Sequence, residues 1–379
     1  MRNISFVNNT FRSVSGCGAT RSGAHGCDHL CTNMSCVLSH VDPALAGEVH
    51  ASGNRVFAQS SASAPASGPA PLRAPLPAPS SPAVAAIPRR LFPSPTQLQV
   101  REGTLRGMTN DHGKLHLFRG IPFATPPLGA LRWHPPTPRA PWTGVREAVV
   151  DSKSCYQGSN IWDKLSNFSE DCLYLNLWKP ANESKDAPLN TAMIYFFGGA
   201  FDQGSAMFPL YNGEPLAAAA DDIVVVVCNY RVGVFGFLGG DNLRSSTDNS
   251  TGNWGIQDQR ACAQWVHDNA EALHVNTSRV LFFGESAGAA SVGNHLAQKE
   301  SWHLFNRAIM ESGPVAAEWM ALPLRDANTM LASFASKTGC ASAPVLRTCL
   351  EKLSSAALWA VRRRVFEIFS IAKTSHTEH

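Results

Sequence analysis

The chain has 379 residues, enough for one large domain or two ordinary ones, and 44% are apolar against 16% charged, so most of it can build a core. The net charge of +3 is uneven: residues 1–96 carry seven arginines and three acids, the remainder 25 basic and 26 acidic side chains. Scattered arginines without interleaved aromatics argue against nucleic-acid binding. No run of 18 apolar residues exists, because Asp221 and Asp222 interrupt the best candidate, which argues against a transmembrane segment.

Met1–Thr10 is polar, and no charged n-region followed by an apolar h-region is visible, so the sequence as written shows no signal peptide. Ser60–Ile87 is almost all Ser, Ala and Pro, with seven prolines and a single charge, Arg73. Such a stretch buries too little surface to offset its ordering entropy, and residues 1–96 are expected to be a disordered low-complexity segment. Cys17, Cys27, Cys31 and Cys36 lie in it near His25, His29 and His40. Their spacing matches no familiar zinc module, so scattered thiols are the preferred reading and no metal or cofactor is expected.

Order is expected from Leu98. Leu98–Thr104 and Leu115–Arg119 read as strands around a turn at Asn110-Asp111-His112-Gly113, and Phe118–Pro136 as an ordered, proline-punctuated loop. In Glu170–Trp178, Leu173, Leu175 and Leu177 alternate with Tyr174, Asn176 and Trp178, as in a strand. Ala192–Phe197 is a second strand, running into Gly198-Gly199-Ala200. Ile223–Cys228 is a third, apolar throughout as if buried on both faces. Asp258–Leu273 reads as a helix, Val280–Phe283 as a short strand, Ala289–Leu296 as a helix and Phe305–Met310 as a strand ending in Glu311-Ser-Gly313. Leu324–Thr338 and Pro344–Leu353 read as helices. The alternation implies an α/β fold with a mostly parallel central sheet and helices on both faces.

The chemistry concentrates at Gly284-Glu285-Ser286-Ala287-Gly288, a G-x-S-x-G between strand and helix, the order of a nucleophile elbow. The turn is tight enough that side chains two residues either side of the serine would collide, which glycine avoids. A G-x-S-x-G in an ordinary turn is the alternative, and the flanks argue against it. Ser286 is the candidate nucleophile. A tetrahedral intermediate then needs backbone N–H donors, expected from Ala287 and from the Gly198-Gly199-Ala200 loop.

Phe118–Pro136, Glu170–Trp178, Asn229–Leu238, Asn253–Trp265, Phe283–Val292 and Phe305–Gly313 together resemble the type-B carboxylesterase, or cholinesterase-like, family, with EDCLYLN and GESAG its specific motifs. The resemblance covers about Leu98 to Ala360. It implies an α/β-hydrolase fold at 97–360, followed by a divergent tail at 361–379. It also implies a small-molecule carboxylic ester substrate, an acyl-serine at Ser286 and oxyanion donors on Gly199, Ala200 and Ala287. Gly198, Gly284 and Gly288 support them, and Glu285 matches an acid close to the reacting centre. It further implies disulfides Cys155–Cys172 and Cys340–Cys349, which need an oxidising compartment. Cys228 and Cys262 read as buried free thiols. Seven N-x-S/T sites (Asn3, Asn8, Asn33, Asn167, Asn182, Asn249, Asn276) are compatible with glycosylation and secretion. Trp162 stands where cholinesterases place a tryptophan against quaternary ammonium; a plain core or loop tryptophan is the stronger reading.

The departures are Phe197, where the family shows His or Tyr, and Leu273-His274-Val275, where it shows Phe-Gly-Gly. The acid and histidine partners of the serine lie further along the family's sequence than this chain runs. His295, His303, His376 and His379 follow Ser286, and none is expected to serve it. No intact triad is therefore expected, the sheet should lack its last strands, and an edge should be open. The alternatives are a non-catalytic binding or adhesion protein of the same fold, or a non-functional truncated product.

Overall fold

The computed structural model describes residues 5–6, 95–158, 167–181, 188–313 and 322–362. The chain divides into two units, 21–91 and the remainder, and every described residue belongs to the second. The Ser/Ala/Pro stretch, the four N-terminal cysteines, Trp162, His376 and His379 lie outside the described residues.

Twelve strands are described: β1 (Ser5–Phe6), β2 (Pro95–Val100), β3 (Gly103–Thr109), β4 (Leu115–Pro122), β5 (Val145–Glu147), β6 (Ser154–Cys155), β7 (Phe168–Ser169), β8 (Tyr174–Pro180), β9 (Asn190–Phe196), β10 (Ile223–Cys228), β11 (Val275–Glu285) and β12 (Arg307–Glu311). The α-helices described are α1 (Glu214–Ala218), α2 (Gly233–Phe237), α3 (Trp254–Asp268), α4 (Ala287–Ala297), α5 (Leu324–Thr338) and α6 (Leu346–Glu351). One sheet runs in the order β1-β12-β11-β9-β10-β8-β4-β3-β2, with β5 added beside β3. It is mixed. β9 to β12 pair in parallel, as their alternation with helices requires, while β10·β8, β8·β4, β4·β3 and β3·β2 are antiparallel. β9 and β11 lie side by side although β10 and α3 come between them in sequence.

Side-chain alternation puts helices on both faces. Phe196 and Phe282 point one way, onto His295 of α4, with ring centroids 5.3 and 5.4 Å away. Tyr195 and Phe283 point the other way and meet at 4.9 Å, with Tyr211 just before α1 at 5.2 Å from Tyr195. A second core lies under α5 and α6, where Phe334, Leu331 and Leu350 close over Trp133, Trp254 and Phe235.

Four local expectations are corrected. The strand read at Leu98–Thr104 is the hairpin β2–β3, turning at Arg101-Glu102 into Gly103 at φ 152°. A Cβ on Gly103 would lie 2.5 Å from the Trp142 indole nitrogen, so glycine is required there. The strand before the serine is longer than Val280–Phe283, starting at Val275 with an irregularity before Val280. Helix α3 begins at Trp254 and ends at Asp268, earlier at both ends than Asp258–Leu273, because Asp258 belongs inside it, bound to Arg231. Finally, Cys228 and Cys262 are not free thiols. β10 ends where α3 crosses it, their Cα atoms are 6.4 Å apart, and the two form a disulfide. The two pairs implied by the resemblance are also present, Cys155–Cys172 and Cys340–Cys349.

At the sheet's end, β1 covers only Arg307 and Ala308 of β12, and Ile309–Glu311 of that edge has no strand beside it among the described residues.

Candidate active site

Ser286 links β11 to α4 at φ 56°, ψ −120°, a backbone conformation that non-glycine residues rarely adopt. Neighbouring backbone holds it there. Its N–H donates to the Glu311 carbonyl at 2.8 Å, and its carbonyl accepts the first helical bond from Ala290 N–H at 3.0 Å. The glycines are packed against backbone. A Cβ on Gly284 would lie 2.5 Å from the Gly288 carbonyl carbon and 2.6 Å from the Phe196 oxygen. One on Gly288 would overlap the Phe196 oxygen, and one on Gly313 the Ser286 carbonyl. Gly313 carries no local signal of this, since its contact is with the elbow residue Ser286, distant in sequence.

The loop after β9 lies against the serine. A Cβ on Gly198 would come within 2.8 Å of Glu285 Oε2 and 3.1 Å of Ser286 Cβ. Gly199 (φ 119°), Ala200 (φ 56°) and Phe201 (φ 59°) follow in left-handed conformations. The loop is tied down at Gly204, whose N–H donates to Gln157 Oε1 at 2.9 Å and whose carbonyl accepts from Gln157 Nε2 at 2.7 Å. Among the described residues, nothing accepts the backbone N–H groups of Gly199, Ala200 or Ala287. Phe197 stacks on Tyr230 at 4.1 Å, and the Tyr230 hydroxyl donates to the Phe197 carbonyl at 2.6 Å.

Beside the serine two carboxyls meet. Glu285 and Glu311 are register partners on β11 and β12. Burial raises both above the ordinary glutamate range, and the Glu311 charge raises Glu285 further. Tyr211, nearby, is pushed up to about 12 by burial and then by Glu285.

The histidines are elsewhere. His295 is fully buried on α4, Nδ1 2.9 Å from Ser301 Oγ and Nε2 3.1 Å from Gln259 Oε1. Burial, then the Arg260 charge, lowers it to about 3, so it stays neutral. His303 is on the surface, 3.2 Å from Gln264 Oε1. Among the described residues none hydrogen-bonds to the Ser286 hydroxyl, and no group of three or more His, Cys, Asp or Glu could hold a metal ion.

Residues 94–377 match the family model described as "Carboxylesterase family". The chain belongs to that family. Its fold is accordingly the α/β-hydrolase fold. Among characterised relatives, the acetylcholinesterase of Gallus gallus is 39% identical over 277 residues, 69% of this chain and 35% of that protein. The cholinesterase of Mus musculus is 39% identical over 255 residues, 64% of this chain and 41% of that one. The acetylcholinesterase of Bungarus fasciatus is 38% identical over 269 residues, 68% and 43% respectively. The chain thus spans less than half the length of the curated relatives it matches. Just before β11, His274 stands at φ 53°, a conformation easy for the glycine that the family resemblance puts there.

Proposed function

We propose that Ser286 is the nucleophile of a carboxylic ester hydrolase that works through an acyl-serine. One observation supports this reading above the others. A strained serine, packed against a glycine loop, has three unclaimed backbone N–H donors on the segments beside it, at Gly199, Ala200 and Ala287. Such donors stabilise the oxyanion that forms when a serine attacks an ester carbonyl. The helix beginning at Ala287 adds its positive end at the same place. The Glu285 carboxyl lies with Ser286 Cβ against Gly198, close enough to shape the field at the site.

Attack also needs a base, and no described side chain offers one to the Ser286 hydroxyl. The chain by itself is therefore expected to hydrolyse p-nitrophenyl acetate no faster than its Ser286→Ala variant. Joined to the C-terminal half of one of the matched cholinesterases, it should acquire turnover that Ser286→Ala abolishes. A folded chimera without serine-dependent turnover would overturn the proposal and leave the non-catalytic binding reading in its place. The three disulfides fit an oxidising compartment, and we place the protein in the secretory pathway or outside the cell on that ground.

A further inference from the structure

The Gly198–Ala200 loop runs on through Phe201 into a charged residue, Asp202. Ala200 and Phe201 stand at φ 56° and 59°. Left-handed residues with side chains persist only where the surroundings over-determine them. The turn supplies part of this, since the Asp202 and Gln203 N–H groups both donate to the Gly199 carbonyl, at 3.0 and 3.1 Å. Two neutral ties to other segments add to it. The Phe201 carbonyl accepts the Gly233 N–H at 2.7 Å, and Gln157 holds Gly204.

A charged tie comes from beyond α6. The Asp202 carboxylate is ion-paired with Arg362. The Arg362 guanidinium lies over the Trp359 ring, 4.2 Å from its centroid. Trp359 is packed in turn against two glycines. A Cβ on Gly158 would overlap the Trp359 indole nitrogen, and one on Gly233 would lie 3.1 Å from both Trp359 Cζ3 and Asp202 Oδ1. Gly158 adjoins Gln157, and Gly233 is the donor to Phe201, so one tryptophan backs both neutral ties. The Arg362 and Asp202 side chains are 15% and 28% exposed, so water and salt screen this pair less than an open one.

We propose that Arg362 is a positioning residue for the Gly199 and Ala200 amides. By holding Asp202 it fixes the turn that keeps those two N–H groups unclaimed beside Ser286. Its bearing on catalysis rests on the esterase reading, while its hold on the loop does not. A guanidinium suits the task because it is planar, stacking on Trp359 while it donates to the carboxylate. A lysine there would keep the charge but lose the flat stacking and the forked donors.

The test follows hydrogen exchange of the full chain by mass spectrometry, in the peptide spanning 199–204. The Asp202, Gln203 and Gly204 amides in it are bonded in the folded loop. Arg362→Ala is expected to speed their exchange roughly tenfold while the α4 amides keep their protection. Arg362→Lys should recover part of that protection. Asp202→Asn should match Arg362→Ala, and the double variant should add nothing, because both remove one contact. Asp202→Asn also reads the contact if Arg362→Ala does not fold. In the chimera described above, keeping Arg362, the change to Ala should lower kcat about tenfold with KM within about twofold. Arg362→Lys should return part of the loss. Unchanged exchange in Arg362→Ala, exchange that rises equally in α4, or additive single variants would each overturn the proposal. So would an unaltered kcat, or a loss confined to KM. A chimera that is inactive with Arg362 in place defeats the esterase reading instead, and the exchange result then decides the hold on the loop by itself.

Discussion

Ser286 at φ 56° is held in place by its neighbours: the Glu311 carbonyl accepts its N–H, the Ala290 N–H donates to its carbonyl, and Gly284, Gly288 and Gly313 leave room for the backbone to turn. The serine and its two flanking glycines were legible in the sequence, because the G-x-S-x-G pattern lies within five residues, whereas the Phe196 carbonyl that the glycines pack against is far away in sequence. Gly313 and the Glu285–Glu311 pair were not, since both depend on which strand becomes β11's neighbour. That pair has a consequence with a definite sign. Both carboxyls are raised in the folded chain, so the folded chain binds these protons more tightly than the unfolded one. Their contribution to stability is full below the ordinary glutamate range and is lost as pH rises through the raised folded values. Glu311→Gln should therefore stabilise the chain at pH 7 and have little effect at pH 4, with Glu285 titrating closer to its ordinary value. Urea unfolding at the two pH values reads the difference, which will be small because both carboxyls are partly exposed.

Among the elements, those whose residues carry their own instructions were read correctly. β10 is β-branched from Ile223 to Val227 and buried on both faces, and α5 presents Met330, Leu331, Phe334 and Ala335 on one stripe. The β2–β3 hairpin was misread as one strand because Arg101-Glu102 contains no residue that demands a turn; Gly103 alone marked it. The Cys228–Cys262 link was invisible for a different reason. Its cysteines are 34 residues apart, on a strand and a helix whose meeting is decided by the sheet. It joins the end of β10 to α3, where Asp258 accepts from Arg231 N–H, Nε and Nη2 at 2.9, 2.8 and 2.8 Å. Closing a loop of that size restricts the unfolded chain by about 3–4 kcal/mol. The double variant Cys228→Ala, Cys262→Ala should lose about that much in urea titration, while Cys155–Cys172 and Cys340–Cys349 remain intact by mass.

Over the whole molecule, Arg132 and Glu170 tie distant stretches together. Arg132 Nε donates to Glu170 Oε2 at 2.7 Å, and Arg132 Nη1 donates to the carbonyls of Leu350, Glu351 and Leu353. Ser355 Oγ donates to Glu170 Oε1 at 2.5 Å. Both charged side chains are 7% exposed, so Arg132→Ala strands a buried carboxylate and should lower stability by about 3–5 kcal/mol in urea titration. Arg132→Lys should recover only part of this, since an ammonium cannot match the forked contacts. The strand order acts at the same scale, in time rather than in energy. β9 acquires its neighbour β11 only after β10 and α3 have been made. A ribosome adding about 5–20 residues per second takes roughly 5–20 s to travel from Phe196 to Glu285. During that interval one apolar edge of β9 stays open, a template for wrong pairing with any other nascent strand. The length of the wait is set by the order of the strands, so no substitution within β9 shortens it.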